Sequence, residues 1–213
     1  MYPTTDIELH PELPLGAEFW TPQPSDIDDY EGFGYFQDVW PIVGVSARDA
    51  RTVAEQDRLL CQLVGEQAQN ALEFDALATA VETGSADDVE GINPDQLAAI
   101  RPYLTDEVAL YGLEVGVAGL VYGLSAAGMY PAASCRGHPG PHAWSSLPVV
   151  LFAADRPHAE MLQPLVENSQ CGFDIDSVRG DLLVIKSKSV ENTLRLADAV
   201  LNALPDFQSL RRV

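Results

Sequence analysis

The chain has 213 residues, 46% of them hydrophobic and 21% charged, and its 32 acidic against 12 basic side chains leave a net charge of −20. A chain of this size and composition can bury a core without disulfide or metal staples, which excludes a wholly disordered or collagen-like protein. The charge weighs against broad electrostatic capture of nucleic acid or of an anionic membrane.

The acids are unevenly placed: the first hundred residues hold 20 acids and 3 bases, the remainder 12 and 9. The N-terminal half therefore reads as a solvating surface or as one suited to a basic protein partner. Three cysteines, Cys61, Cys135 and Cys171, are too few and odd in number for a disulfide framework, so a reducing compartment is expected. Met1 to Asp6 show neither a basic n-region nor an apolar core, and cytoplasm is the expected address.

Residues 1–46 read as an acidic arm rich in aromatics and proline, with Asp26, Asp28, Asp29 and Glu31 facing water. Its aromatics argue against disorder and for packing over the body. Residues 47–104 read as a helical segment. Val53, Leu60, Val64, Ala68, Ala71, Leu72 and Leu77 recur at steps near three and four, with Gly65 as the expected break. Asn93, Pro94 and Gln96 spell a helix start with a capping box.

Residues 105–213 read as an α+β domain in which a mixed sheet packs with helices. From Val108 to Ala127 the chain is apolar or small apart from Glu114, with Gly112, Gly116, Gly119 and Gly123 at steps of four, three and four. Twenty such residues can span a bilayer, but Glu114 and the lack of basic flanks favour a buried core helix opened by Thr105-Asp106-Glu107 and ended by Gly128. Strands follow at Ala132–Cys135, Val149–Ala153, Phe173–Val178 and Asp181–Lys188. The last two are joined by an Arg179-Gly180 turn. A helix starts at Asp155-Arg156-Pro157, and another follows Ser189 with a stripe of Val190, Leu194, Ala197, Leu201 and Leu204. The order is helix–strand–strand–helix–strand–strand–helix, an α+β sandwich. Walker, Gly-x-Gly-x-x-Gly and Gly-x-Ser-x-Gly motifs are absent, which weakens NTPase, dehydrogenase and α/β-hydrolase readings.

The densest chemistry is Ser134-Cys135-Arg136-Gly137-His138-Pro139-Gly140-Pro141-His142. Cys135, His138 and His142 have a Cys-x2-His-x3-His spacing that suits zinc, with Cys171 or His158 as a fourth ligand of a structural site. Without a metal, Arg136 beside Cys135 favours thiolate and nucleophilic chemistry. Ser134, the Gly137 amide and Arg136 also compose a cradle for an anion, with His138 as proton donor. A purely structural loop is the bland alternative. Glu114 is placed to orient a histidine or serve as a base, and Trp144 either lines a pocket or joins the core. Lys186 and Lys188 share a strand face that meets phosphate or protects a sheet edge, and Asp174 and Asp176 share another.

From Leu113 to Leu204 the chain resembles the wybutosine-synthesising tRNA methyltransferases. Their Ser-Cys-Ser-Gly-Arg segment has its analogue in Ser134-Cys135-Arg136-Gly137-His138, followed by a similar order of strand, helix, strand pair and helix. The resemblance implies S-adenosylmethionine-dependent methyl transfer to a tRNA base, with Ser134, Cys135 and Gly137 lining the site. His138 stands where the family has arginine, and Arg136 where it has its second serine.

The function expected from these residues is a small-molecule or nucleotide-like ligand site in the loop. As an enzyme it would use His138 and Cys135 catalytically, and Ser134, Arg136, Gly137, His142, Trp144 and Glu114 for binding. The alternative is a non-enzymatic acidic protein of inhibitor or immunity type that docks a basic partner.

Overall fold

The computed structural model of the chain describes residues 2–23, 42–86, 91–104, 109–140, 143–176 and 181–210. The expected water-facing acids of the arm, the Thr105-Asp106-Glu107 helix start, the Arg179-Gly180 turn and His142 lie outside the described residues.

Helix α1 spans Ala47–Gln67, and Ser46 caps it by accepting the Asp49 N–H. Gly65 sits inside this helix rather than breaking it. A Cβ there would lie 2.7 Å from the Tyr2 ring, so the glycine admits an aromatic side chain of the N-terminal segment. The break falls at Ala68–Asn70, where Asn70 caps α2, Ala71–Thr83. Gly84, left-handed at φ 70°, ends α2. Helix α3, Pro94–Ile100, carries the expected reciprocal box between Asn93 and Gln96.

The glycine-studded stretch departs from expectation. Only Ala118–Ala126 forms α4, and every residue of it is buried. Before it, Ala109–Gly112 makes a short 3₁₀ turn in which Leu110 and Tyr111 are left-handed, while Gly112 and Gly116 have φ of 83° and 91°. Those angles lie outside the right-handed helix, so the first half of the apolar run is a loop. Gly128, at φ 97°, follows the end of α4. No helix among the described residues is long and apolar enough to cross a membrane.

Strands β1 (Tyr130–Cys135), β2 (Val149–Ala153), β3 (Cys171–Ile175) and β4 (Leu183–Ser187) form one sheet in the order β1-β2-β4-β3. Every junction is antiparallel rather than mixed. Helix α5 (Arg156–Asn168) links β2 to β3, and β4 inserts between them. Each end of this crossover therefore pairs with β4, and the sheet contains a split β-α-β unit. Helices α6 (Val190–Asn202) and α7 (Leu204–Leu210) close the chain.

The fold is α+β. Val150, Phe152, Leu183 and Ile185 turn one sheet face toward the helices, in a continuous apolar cluster that runs from Ile42 in α1's approach to Phe207 in α7. Val149, Leu151, Ala153 and Val184 turn the other way and are covered by Trp20 and Leu147. Because β4 is interior, Lys186 does not protect an edge; its Nζ pairs with Asp174. The exposed side of β3 is met instead by the N-terminal segment, whose His10 carbonyl accepts the Phe173 N–H at 2.7 Å. An edge strand covered in this way is no template for another chain.

Candidate functional site

Strand β1 delivers Cys135 to the sheet end, and the chain then turns sharply through Arg136, Gly137 and His138. Gly137 has φ 83°, and a Cβ on it would strike the Leu147 backbone at 2.6 Å. The glycine is therefore required by close passage of the loop's own returning segment just before β2. The turn is pinned by the His138 N–H donating to Ser145 O at 2.9 Å and by the Gly137 N–H directed at Cys135 Sγ at 3.3 Å.

Two other elements close on this turn. Glu114, from the loop before α4, accepts the Arg136 N–H on Oε2 at 2.6 Å and faces His138 Nε2 with Oε1 at 3.0 Å. Asp75, Thr79 and Glu82 lie at i, i+4 and i+7 of α2, and so form one stripe. Asp75 Oδ1 meets His138 Nδ1 at 2.7 Å. The Arg136 guanidinium donates to Asp75 Oδ1 at 2.7 Å, Glu82 Oε1 at 2.5 Å and Thr79 Oγ1 at 2.9 Å.

These contacts change the chemistry expected of the loop. Arg136 is only 2% exposed and all three guanidinium nitrogens are engaged. It neutralises half-buried carboxylates and offers no free fork to an anion. Asp75, Glu82 and Glu114 surround it, so its charge is matched within the protein and a nucleotide-like ligand would meet no unpaired guanidinium.

His138 is changed as well. Hydrogen bonding of the ring to Asp75, Cys135 and Glu114, in that order, pushes its pKa up to about 12. Without a bound ion it is an imidazolium at neutral pH, which suits neither a general base nor a general acid working near pH 7. Burial raises Asp75 and Glu114, but hydrogen bonds from His138 and Arg136 outweigh it and hold both carboxyls below their usual range. Burial pushes Glu82 up to about 7 against the pull of Arg136 and the Val115 N–H. For Arg136, burial works against the charge, and Glu82, Glu114 and Asp75 more than restore it.

Glu114, Cys135 and His138 each place a ligand atom within 4.8 Å of the others. Ser134 is half-buried in β1, in register with Val150, and takes no part. Trp144 is 62% exposed, neither core nor wall of a described cavity. Cys171 opens β3, its Sγ toward Ser169 O, and His158 sits on α5 beside Asp155, so neither supplies a fourth ligand. Sequence reasoning missed Asp75, Thr79 and Glu82. Their spacing along one helix face was the available signal, but polar stripes of that kind ordinarily face water.

The positions that the methyltransferase resemblance offers to S-adenosylmethionine do not form an open cradle. Cys135 is buried, and the space beside Gly137 is filled by Leu147. In comparisons with known proteins, no family model, no curated protein and no solved structure matches this chain.

Proposed function

We propose that the Ser134–His138 turn is a divalent-cation site suited to zinc, at which a small molecule is taken on the metal's open side. The carrying observation is the convergence of one carboxylate, one thiol and one imidazole within 4.8 Å, drawn from two separate segments of the chain. Oxygen, sulfur and nitrogen donors of this kind are zinc's usual set, and three protein ligands leave a fourth position for water or substrate. Asp75 supports the reading from behind. A carboxylate on Nδ1 fixes the ring so that Nε2 is the nitrogen left for the ion, and the proton between Nε2 and Glu114 is the one displaced. With Arg136 engaged by Asp75 and Glu82, the donors left at the turn suit a cation better than the anionic ligand expected from Arg136.

The test is metal titration of the purified, chelator-stripped protein with zinc, and with cobalt as a spectroscopic substitute. One equivalent should bind, and the cobalt form should show a thiolate charge-transfer band. Cys135→Ser should remove the band, and His138→Ala or Glu114→Gln should weaken binding. Asp75→Asn should cost about 10- to 100-fold in affinity through loss of the ring's support. Absence of stoichiometric binding, or binding indifferent to Cys135→Ser and His138→Ala, would sink the proposal.

A further inference from the structure

A second constellation lies at the start of α1. A cavity of about 420 Å3 is lined there by Ser46, Asp49 and Val53 of that helix end, by Val43, by Tyr111 from the loop before α4, and by Tyr122 of α4. Leu110 and Tyr111 are consecutive left-handed residues, a conformation that bulky side chains seldom adopt. The turn buries Leu110 and leaves Tyr111 67% exposed, its ring stacked on Tyr122 with centroids 5.9 Å apart.

Tyr122 is only 8% exposed, yet its hydroxyl hydrogen-bonds to no described residue. That oxygen is not sealed in: among the described residues, the one side-chain polar atom both buried and unpartnered is Nε2 of His158. Burial and then the neighbouring Tyr111 and Asp49, both wall residues, raise the Tyr122 hydroxyl to about 12. The hydroxyl is therefore neutral near pH 7, keeps its lone pairs, and is turned toward the side of the cavity where Tyr111 and Asp49 stand.

Asp49 is the one charged side chain in the wall. Ser46 donates its hydroxyl to Asp49 Oδ2 at 2.7 Å, which steadies the carboxylate, and Oδ1 has no described partner. Arg51, two residues on, is directed away to Leu201 O, and Arg48 is not in the wall. The positive pole of α1 is already met by the Ser46 cap and by Asp49 itself.

We propose that this cavity binds a small organic cation, an ammonium group on a compact apolar body, whose N–H groups are shared between Asp49 and the Tyr122 hydroxyl. Positive charge follows from Asp49 standing without a basic partner, in a half of the chain with 20 acids and 3 bases; an anion would meet that carboxylate directly. The apolar body follows from Val43 and Val53 in the wall and from the Tyr111 ring, whose face also attracts a cation. The volume lies within the range of small-molecule sites. Glu114, Cys135 and His138 take no part, so this site is independent of the metal-binding turn.

The experiment uses benzylammonium as the probe on the full chain, with a chelator present and ionic strength held constant. Tyrosine rings are labelled with 13C, and Tyr111→Leu and Tyr122→Phe assign the two resonances. Millimolar benzylammonium should shift both saturably. Benzyl alcohol has nearly the same shape without the charge and should bind about tenfold more weakly, the loss of a charge-assisted hydrogen bond. Asp49→Asn keeps an oxygen for the Ser46 hydroxyl and should lose a similar factor for benzylammonium. Tyr122→Phe orphans no other group, and affinity read on Tyr111 should fall about threefold. The proposal is overturned by shifts that never saturate, by benzyl alcohol binding as well as benzylammonium, or by affinity unchanged in Asp49→Asn. The two probes are compared on the unsubstituted chain, so a variant that fails to fold does not shelter the idea.

Discussion

Asp57 stands in the apolar stripe of α1 between Val53 and Leu60, fully buried. Its Oδ1 accepts the Gly116 N–H at 2.5 Å and its Oδ2 the Gly119 N–H at 2.9 Å. A side chain from α1 thus satisfies the opening of α4, whose own N-cap, Val117, has no polar group to do so. Burial nevertheless outweighs these bonds and raises the carboxyl from 3.8 to about 6. A carboxyl raised on folding takes its proton more readily in the folded chain than in the unfolded one. Its contribution is therefore most favourable below the unfolded value and declines as pH rises through about 6, by about 3 kcal/mol in all. Urea unfolding of the metal-free protein between pH 4 and 7 should show that decline, and Asp57→Asn should flatten it, because an amide does not titrate. Asp57→Ala should lose about 2–4 kcal/mol at every pH, since two buried N–H groups are left without acceptors. A slope that persists in Asp57→Asn would mean other groups set the pH dependence.

At the scale of elements, the glycines divide by what surrounds them. Gly119 lets α4 approach α1 so closely that a Cβ would lie 3.0 Å from Ala54 Cα. Gly116 combines φ 91° with a would-be Cβ contact of 2.7 Å to Val190 at the start of α6, while Gly112 has φ 83° and open space. Gly112→Ala should therefore cost only backbone strain, about 1 kcal/mol, and Gly116→Ala clearly more, about 2–4 kcal/mol. Equal shifts in urea midpoint would show that packing against Val190 is soft. The same stretch shows what a sequence can and cannot reveal. The order from α4 to α6 was legible because each element carries its own local signals: Asp155 before Arg156-Pro157, the continuous Val149–Ala153, and the stripe after Ser189. The loop before α4 was not, because an apolar run with glycine every three or four residues reads alike as helix or as buried turn. At the site, Cys135, Glu114 and His138 stood out by residue type. The partners on α2 are about 60 positions away, and only the tertiary fold turns that stripe inward to meet Arg136.

For the molecule as a whole, the net charge of −20 sets one force against folding that no local contact cancels. Compacting like charges raises their mutual repulsion, and salt relieves it as the screening length shrinks from about 30 Å at 0.01 M to about 8 Å at 0.15 M. The opposing effect is the screening of favourable pairs, and among the described residues the solvent-accessible Arg and Lys pairs are Arg58 with Asp198, Arg195 with Glu191, Arg156 with Glu160 and Lys186 with Asp174. Each contributes about 0–1 kcal/mol even at low salt. The pairs of Arg136 are buried and are screened far less. Sodium chloride added over that range, with a chelator present to exclude divalent ions, should therefore raise the Tm. A fall would mean that the surface pairs outweigh the global repulsion. Calcium or magnesium in place of the chelator should raise the Tm no more than the added ionic strength accounts for, because hard cations prefer all-oxygen sites. Zinc should exceed that increment in the unsubstituted chain and lose the excess in Cys135→Ser, which separates a specific thiolate ligand from a diffuse response to an acidic surface.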